Sequence, residues 1–125
     1  LASAWDRCAA EAQTAFGCSN LYLEALLGEA RHIEVQVAGD GSGRVAHLGE
    51  RECTIQRRHQ KILEVAPSPS LAPAVRERII QAALTLAERV RYRTLGTFEF
   101  LLDAADGERF VFIEANPRLQ VEHTV

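Results

Sequence analysis

Residues 31–43, RHIEVQVAGDGSG, decide the fold class of this chain. Polar and apolar side chains alternate ahead of a glycine-rich run; the apolar set is Ile33, Val35 and Val37, and the polar set is His32, Glu34 and Gln36. A period of two is typical of a half-buried strand, and a glycine-rich turn between two strands makes an antiparallel hairpin. The pattern predicts strands over 31–38 and about 44–48. Because neither a helix nor a GK[ST] motif follows the glycines, a hairpin is favoured over a phosphate-binding loop.

Outward from this hairpin, the same patterns predict two helices and further strands. One helix should run from Ala2 to about Phe16 and stop at Gly17, and a longer one from Ala74 to about Arg91. The inward side of the longer helix is predicted to be Val75, Ile79, Ala82, Ala83, Leu86 and Val90. A short strand is expected at 21–27, and strands at 96–103 and 109–115 form a hairpin; the charged stretch 50–61 is assigned no element. The predicted class is α+β, a mainly antiparallel sheet with flanking helices.

Composition limits the classes of function. A length of 125 residues fits one domain, and a net charge of −3 argues against nucleic acid as the main partner. No apolar run approaches the roughly 20 residues of a membrane span. Cys8, Cys18 and Cys53 have no metal-binding spacing, which favours reduced thiols and a cytoplasmic protein. Because the chain lacks an initial methionine and ends directly after a dense polar motif, we expect it to be a fragment of a longer protein.

Two glutamates in the second predicted hairpin could share one face of the sheet. Apolar neighbours flank both Glu99 and Glu114, so the two carboxylates should point the same way from adjacent strands. Paired carboxylates repel each other unless a positive charge lies between them, and oxygen ligands suit Mg²⁺ or Mn²⁺. Asn116 could add a neutral oxygen. The alternative is two exposed glutamates on a solvated face.

Residues 114–124, EANPRLQVEHT, carry the densest polar motif. After Pro117, the side chains of Arg118, Gln120 and Glu122 alternate and could share one face of an extended segment. A guanidinium and an amide suit a small planar oxyanion, and a neighbouring carboxylate could accept its proton. An ordinary surface pair between arginine and glutamate is the alternative.

The stretch 56–61, QRRHQK, contains the only lysine of the chain, Lys61. All other basic side chains apart from histidine are arginines, so a single ammonium could be present for its compact point charge. The cluster could bind polyphosphate, or it could be a basic solvated loop.

Four stretches together resemble the biotin carboxylase component of biotin-dependent carboxylases, in the ATP-grasp superfamily. They are 31–37 (RHIEVQV), 50–61 (ERECTIQRRHQK), 96–100 (GTFEF) and 114–125 (EANPRLQVEHTV). Their order and spacing also agree, and the match extends over nearly the whole chain. The resemblance implies that residues 1–125 are a partial ATP-grasp domain, mostly its C-terminal lobe, without most of the lid, the N-terminal lobe and the C-terminal portion.

The resemblance implies a ligase. The parent protein would use ATP to activate bicarbonate and then carboxylate biotin on a carrier domain. The implied cofactors are ATP, two Mg²⁺ or Mn²⁺ ions and carrier-bound biotin; the implied partners are ATP, bicarbonate and the carrier domain, with a homo-oligomeric parent. The chain alone is expected to be inactive, because ATP-grasp enzymes clamp the nucleotide between two lobes.

The resemblance also implies roles for individual residues. ATP would contact Glu24, Ala25, Leu26, Leu27, His32, Gln56, His59, Glu99 and Glu114. The metal ions would be bound by Glu99, Glu114 and Asn116. Bicarbonate would be bound by Lys61, Arg118, Gln120 and Val121. Arg118 and Glu122 would be the catalytic residues, with Glu122 as the general base.

Two other interpretations remain open. The chain could belong to another ATP-grasp ligase, such as a carbamoyl-phosphate synthetase, although the RRHQK and RLQVEH strings speak against it. It could also be a non-catalytic nucleotide- or metal-binding module, against which Lys61, Arg118 and Glu122 argue.

One departure from the family pattern is Ala25, where many relatives have a longer residue. The final acyl acceptor is not identified by these motifs.

Overall fold

The computed structural model describes residues 1–58 and 60–118 of the chain. Its elements in chain order are α1 (Ala2–Phe16), β1 (Ala30–Asp40), β2 (Val45–Arg57), β3 (Gln60–Val65), α2 (Pro73–Arg89), β4 (Arg93–Asp103) and β5 (Phe110–Asn116). The strands form one sheet in the order β3-β2-β1-β4-β5, and every neighbouring pair is antiparallel. The predicted α+β class is therefore confirmed.

Helix α2 packs on one face of the sheet and closes the hydrophobic core. The helix buries Val75, Ile79, Ile80, Ala83 and Ala87, and the sheet contributes Ile33, Val35, Val37, Phe98, Phe100 and Leu102. Fully burying a Val, Ile, Leu or Phe side chain is worth about 1.5–3 kcal/mol, so this layer holds the strands together. Helix α1 has the predicted bounds and ends at Gly17 in the left-handed conformation, but none of its residues is buried.

The prediction that β1 is half-buried is wrong at the centre of the strand. Glu34 and Gln36, on the face opposite α2, are 0% and 2% exposed. Alternation correctly assigned the two faces, but it could not indicate that the polar face is also covered. Side chains from neighbouring strands cover it, because β1 is the middle strand of five.

Two segments differ from the sequence prediction. Residues 21–27 form no strand, and Tyr22 and Leu26 are exposed; a strand needs a hydrogen-bonding neighbour, and the order of the sheet offers this segment none. The charged stretch 50–61 is part of a second long hairpin made of β2 and β3. Its alternation was hidden because charged residues face both sides of β2, Glu50 and Glu52 on the α2 side and Arg51 on the other.

A smaller correction concerns the end of α2, whereas the cysteines agree with the expectation of reduced thiols. Val90 was predicted to face inward but is exposed, because the helix ends at Arg89 and Val90 is its C-cap. Cys8 and Cys18 are exposed and Cys53 is buried, all three as free thiols. Within the described ranges, no helix is long and apolar enough to cross a membrane.

A register shift in the last hairpin directs Glu114 away from the core. Glu99 pairs with Glu114 while the next residue of β4, Phe100, pairs with Phe112, so Ile113 is an extra residue on β5. A β-bulge of this kind changes the face to which the following side chains point. Phe112 therefore packs against Phe98 and Phe100, whereas Glu114, only two positions later, lies on the opposite face with Glu99.

Candidate functional site: a charged face on the sheet

The face of the sheet opposite α2 carries an interconnected set of polar side chains from all five strands. We call this set the charged face; its members are His32, Glu34, Gln36, Arg51, Lys61, Glu99, Glu114 and Asn116, and their mutual hydrogen bonds link β1 to β5. Because a sheet fixes its strands relative to one another, these groups are held at defined distances without a ligand.

Glu99 is the centre of the charged face. It is 2% exposed and accepts hydrogen bonds from His32 Nε2 at 2.6 Å, from Lys61 Nζ at 3.2 Å and from Asn116 Nδ2 at 2.6 Å. Burial alone would raise the pKa of Glu99. The hydrogen bond from His32 and the charge of Lys61 outweigh burial and lower this pKa to about 2, so the carboxylate stays ionised.

Gln56 determines which nitrogen of the His32 ring carries the proton. Its side-chain Nε2 lies 2.9 Å from the carbonyl oxygen of Cys53 and 2.8 Å from His32 Nδ1. An amide nitrogen donates to both, so Nδ1 is the acceptor and Nε2–H points at Glu99. The structure thus brings the predicted residues His32, Gln56 and Glu99 into one hydrogen-bonded chain.

The single lysine of the chain lies between two buried carboxylates. Lys61 Nζ donates to Glu34 Oε2 at 2.5 Å and to Glu99 Oε1 at 3.2 Å. Burial would lower the pKa of Lys61, but the hydrogen bond with Glu34 and the charges of Glu34 and Glu99 raise it above the usual range. An ammonium has three donors, and its contacts with the described residues use two of them, which leaves one donor of Lys61 without a partner in that part of the chain.

Glu99 and Glu114 lie directly opposite each other on β4 and β5, as predicted. Asn116 Nδ2 lies 2.6 Å from Glu99 Oε1 and 3.4 Å from Glu114 Oε1, so a hydrogen-bond donor connects the two carboxylates where a cation would be favourable. The donor set is all oxygen once the amide turns its Oδ1 inward, which suits Mg²⁺ or Mn²⁺. These three residues therefore fit a divalent ion.

Two further groups bring together side chains of metal-ligand type. His32, Glu34 and Glu99 offer ligand atoms within 4.8 Å of one another, and so do Glu34, Cys53 and Glu64. In the first group Lys61 contacts both carboxylates, and in the second Arg51 contacts both glutamates. Glu114, by contrast, is exposed, so an ion from solution can reach the pair Glu99 and Glu114, which is the better candidate for a metal ion.

Other predicted site residues lie elsewhere or outside the described part of the chain. Glu24, Ala25 and Leu26 are exposed in the irregular segment between α1 and β1, and Leu27 is half-buried there. The backbone N–H of Arg118 donates to the carbonyl oxygen of Asn116 at 2.9 Å, which places Arg118 two residues past the carboxylate pair. The predicted residues His59, Gln120, Val121 and Glu122 fall outside the described residues.

Sequence reasoning missed the roles of Glu34, Gln36 and Arg51. Arg51 pairs in register with Glu34, and its guanidinium contacts Glu34 and Gln36 with 5% of the residue exposed. Sequence alone could not show this pair: a regular register continued from Gly39 and Val45 would place Glu34 opposite Glu50, and the irregularity between Val35 and Val37 brings Arg51 there instead.

Comparison with known proteins identifies the family. The family model for the carbamoyl-phosphate synthase L chain, ATP binding domain, matches residues 1–125, the whole chain. The chain belongs to this family. Members similar to it are the pyruvate carboxylases of Bacillus subtilis, 54% identical over 98% of this chain, and of Staphylococcus aureus, 50% identical over 100% of it.

Among solved structures, the biotin carboxylase of Campylobacter jejuni, solved as a βγ-ATP complex, is 47% identical with a TM-score of 0.84 and matches 98% of this chain. The resemblance to ATP-grasp carboxylases is thereby confirmed. The chain spans 10% and 11% of the two pyruvate carboxylases and 27% of the Campylobacter chain, so it corresponds to a small part of each relative.

Proposed function

We propose that this chain is the central-to-late part of the ATP-grasp domain of a biotin carboxylase. The parent protein uses ATP to activate bicarbonate and transfers the carboxyl group to biotin on a carrier domain. One observation carries the proposal: the Lys61 ammonium and the carboxylate pair of Glu99 and Glu114 share a single face of the sheet. A cation for an oxyanion thus lies next to ligands for the metal ions that accompany nucleotide phosphates.

The metal ions would be held by Glu99, Glu114 and Asn116, whose oxygens fit them. When bound, Mg²⁺ or Mn²⁺ would offset the negative charge of the ATP phosphates. The low pKa of Glu99 keeps its carboxylate ionised, which is the form that a metal ion requires. His32 and Gln56 orient this carboxylate from the other side, and with His59 and the segment Glu24–Leu27 they are also proposed to contact the nucleotide.

Bicarbonate would be bound by Lys61, Arg118, Gln120 and the backbone of Val121. Among the described residues Glu34 and Glu99 use two donors of Lys61, and the third would be donated to the anion. Arg118 would supply a planar fork that matches a carboxylate-like anion. Glu122 would accept the proton of bicarbonate, and neighbouring cations would keep it ionised. The rate would then rest on positioning and on electrostatic stabilisation of the reacting anions.

The setting of the parent protein is part of the same proposal. We propose a cytoplasmic homo-oligomer that binds ATP, bicarbonate and a biotin carrier domain, and that needs neither a membrane nor nucleic acid. The chain alone would be inactive, because it supplies mostly one lobe of the nucleotide clamp.

Replacing Glu122 in the full-length parent tests the proposed chemistry. General-base assistance typically contributes about 10²–10⁴-fold, so Glu122→Gln should lower the rate of biotin carboxylation by roughly that factor. Nucleotide affinity should stay close to that of the wild type, because the metal contacts belong to Glu99 and Glu114. Near-normal carboxylation by Glu122→Gln would show that the base is another group.

A carbamoyl-phosphate synthase is the second candidate, because the family description names that enzyme. The two candidates share ATP and bicarbonate and differ in the acceptor. The pyruvate carboxylases at 50% and 54% identity favour the biotin-dependent enzyme.

A further inference from the structure

Lys61 depends on a buried partner for its position. Its four-carbon side chain is flexible and its ammonium is a point charge without preferred direction. The shortest contact of that ammonium is with Glu34 Oε2 at 2.5 Å, and Glu34 is completely buried. Whatever fixes the Glu34 carboxylate therefore also fixes the Lys61 ammonium.

Arg51 fixes that carboxylate from the other side. Its Nε lies 2.8 Å from Glu34 Oε1, and its Nη2 contacts the same oxygen. Glu34 Oε1 thus accepts the hydrogen bonds of Arg51, and Oε2 accepts that of Lys61. A buried carboxylate with both oxygens assigned to different cations has one favourable orientation.

Gln36 holds the far end of the Arg51 guanidinium. Its Oε1 accepts from Nη1 at 3.3 Å and from Nη2 at 3.2 Å, while its Nε2 donates to the carbonyl oxygen of Gly96 at 2.9 Å. Gly96 lies on β4, three residues before Glu99. Gln36 consequently connects the arginine to the strand that carries the other carboxylate partner of Lys61.

The charges also require Arg51. Glu34 and Glu99 together carry two negative charges, and Glu64, 3.6 Å from Arg51 Nε, adds a third, so Lys61 alone cannot balance them. With Arg51 neutralising Glu34, the Lys61 ammonium retains attraction for an incoming anion. Without Arg51, Lys61 would be the main counter-charge of Glu34, because an unpaired buried carboxylate is strongly unfavourable. The ammonium would then attract an incoming anion less.

We propose that Arg51, held by Gln36, is a positioning residue that acts through Glu34 to keep Lys61 directed at the oxyanion. This inference rests on the proposed function, which assigns bicarbonate to Lys61. Arg51 itself would touch no substrate. The competing explanation is that Arg51 only stabilises the fold.

A set of variants of the full-length parent separates these explanations through bicarbonate-dependent ATP hydrolysis. Arg51→Met should raise the KM for bicarbonate roughly tenfold or more, with little change in the KM for ATP. Arg51→Lys retains the charge but loses the fork, so it should recover part of the loss and remain useful if Arg51→Met folds poorly. Arg76→Met is the matched control, because Arg76 pairs with another buried glutamate, Glu50, at 2.8 Å.

A double variant gives the decisive comparison. If Arg51 acts through Lys61, adding Arg51→Met to Lys61→Gln should raise the KM for bicarbonate no further than Lys61→Gln alone does. Equal effects of Arg51→Met and Arg76→Met, or additive effects in the double variant, would overturn the inference while leaving the proposed function intact. If Lys61→Gln left the KM for bicarbonate unchanged, the anion site assigned to Lys61 would be wrong, and the inference would fall with it.

Discussion

Glu99 and Glu114 occupy directly opposed positions on β4 and β5, and the Asn116 amide nitrogen lies within hydrogen-bond distance of both carboxylates. Two negative charges placed opposite each other are unfavourable without compensation. On the Glu99 side, Lys61 provides a positive charge and His32 provides a hydrogen bond. Glu114 is exposed, so a cation from solution can reach this carboxylate.

Neutralising either member of this pair should weaken metal binding. Glu99→Gln and Glu114→Gln each keep the size of the side chain and remove one negative ligand. A contact with a charged group is worth about 1.5–3 kcal/mol. We therefore expect the affinity of the full-length parent for Mn²⁺, measured with nucleotide present, to fall at least about tenfold in each variant. Mn²⁺ binding followed by electron paramagnetic resonance measures this directly. Glu108→Gln, in the exposed β4–β5 connection, is the control. Unchanged Mn²⁺ affinity in both variants would remove the pair from the metal site.

A second prediction concerns Gly96, which lies beneath the Tyr92 ring and beside Asn116. A Cβ at Gly96 would lie 1.9 Å from Tyr92 Oη and 2.8 Å from the carbonyl oxygen of Asn116. Gly96→Ala should therefore displace both neighbours and lower the free energy of unfolding by about 1–3 kcal/mol. Gly28→Ala, where an added Cβ would meet nothing within 4 Å, should be nearly neutral. Urea unfolding of the three proteins checks this, and equal stabilities would contradict the packing described here.

A third prediction links Glu52 to stability at low pH. Hydrogen bonds from Arg31, in the first place, and from Ser68 and Thr54 lower the pKa of Glu52 from its ordinary 4.5 to about 2. Because the pKa is lower in the fold than in the unfolded chain, the stabilisation is fully present above about pH 4.5 and is lost as the pH falls towards 2. At 1.36 kcal/mol per pKa unit, its upper limit is about 3 kcal/mol.

Urea unfolding at a series of pH values tests this linkage. Glu52→Gln should be less stable than the wild type at pH 6, and the difference should shrink as the pH falls from 4.5 to 2. Glu88→Gln, on the exposed side of α2, controls for the loss of one carboxylate. A difference between wild type and Glu52→Gln that is independent of pH would contradict the assignment.

The fold could be predicted where local pattern and burial agree. The alternation of residues 31–38 was sufficient to predict β1, and the apolar spacing of residues 74–91 was sufficient to predict α2, because each element buries one regular face. The first part of β2 was predicted, but the rest of β2 and β3 were missed, because charged side chains there form pairs such as Arg51 with Glu34 and Arg31 with Glu52. Such pairs resemble a solvated surface until the neighbouring strand is known.

The sequence predicted which residues could bind a metal ion, but it did not predict the structural features that orient them. Glu99, Glu114 and Asn116 were selected from the sequence by their residue types and by the apolar neighbours of the two glutamates. The bulge at Ile113 that turns Glu114 onto the same face as Glu99 has no signal in the sequence. Nor does sequence spacing indicate that Lys61 lies between Glu34 and Glu99, 27 and 38 positions away along the chain.

The acceptor of the carboxyl group tests the central claim most directly. The full-length parent should be incubated with ATP, Mg²⁺ and ¹⁴C-bicarbonate, once with biotin or its carrier domain and once with ammonia, and the 125-residue chain should be assayed in parallel. We predict ATP-dependent transfer of the label to biotin by the parent, no labelled carbamoyl phosphate, and no activity of the chain alone. Labelled carbamoyl phosphate formed from ammonia, without any labelling of biotin, would contradict the assignment to a biotin carboxylase.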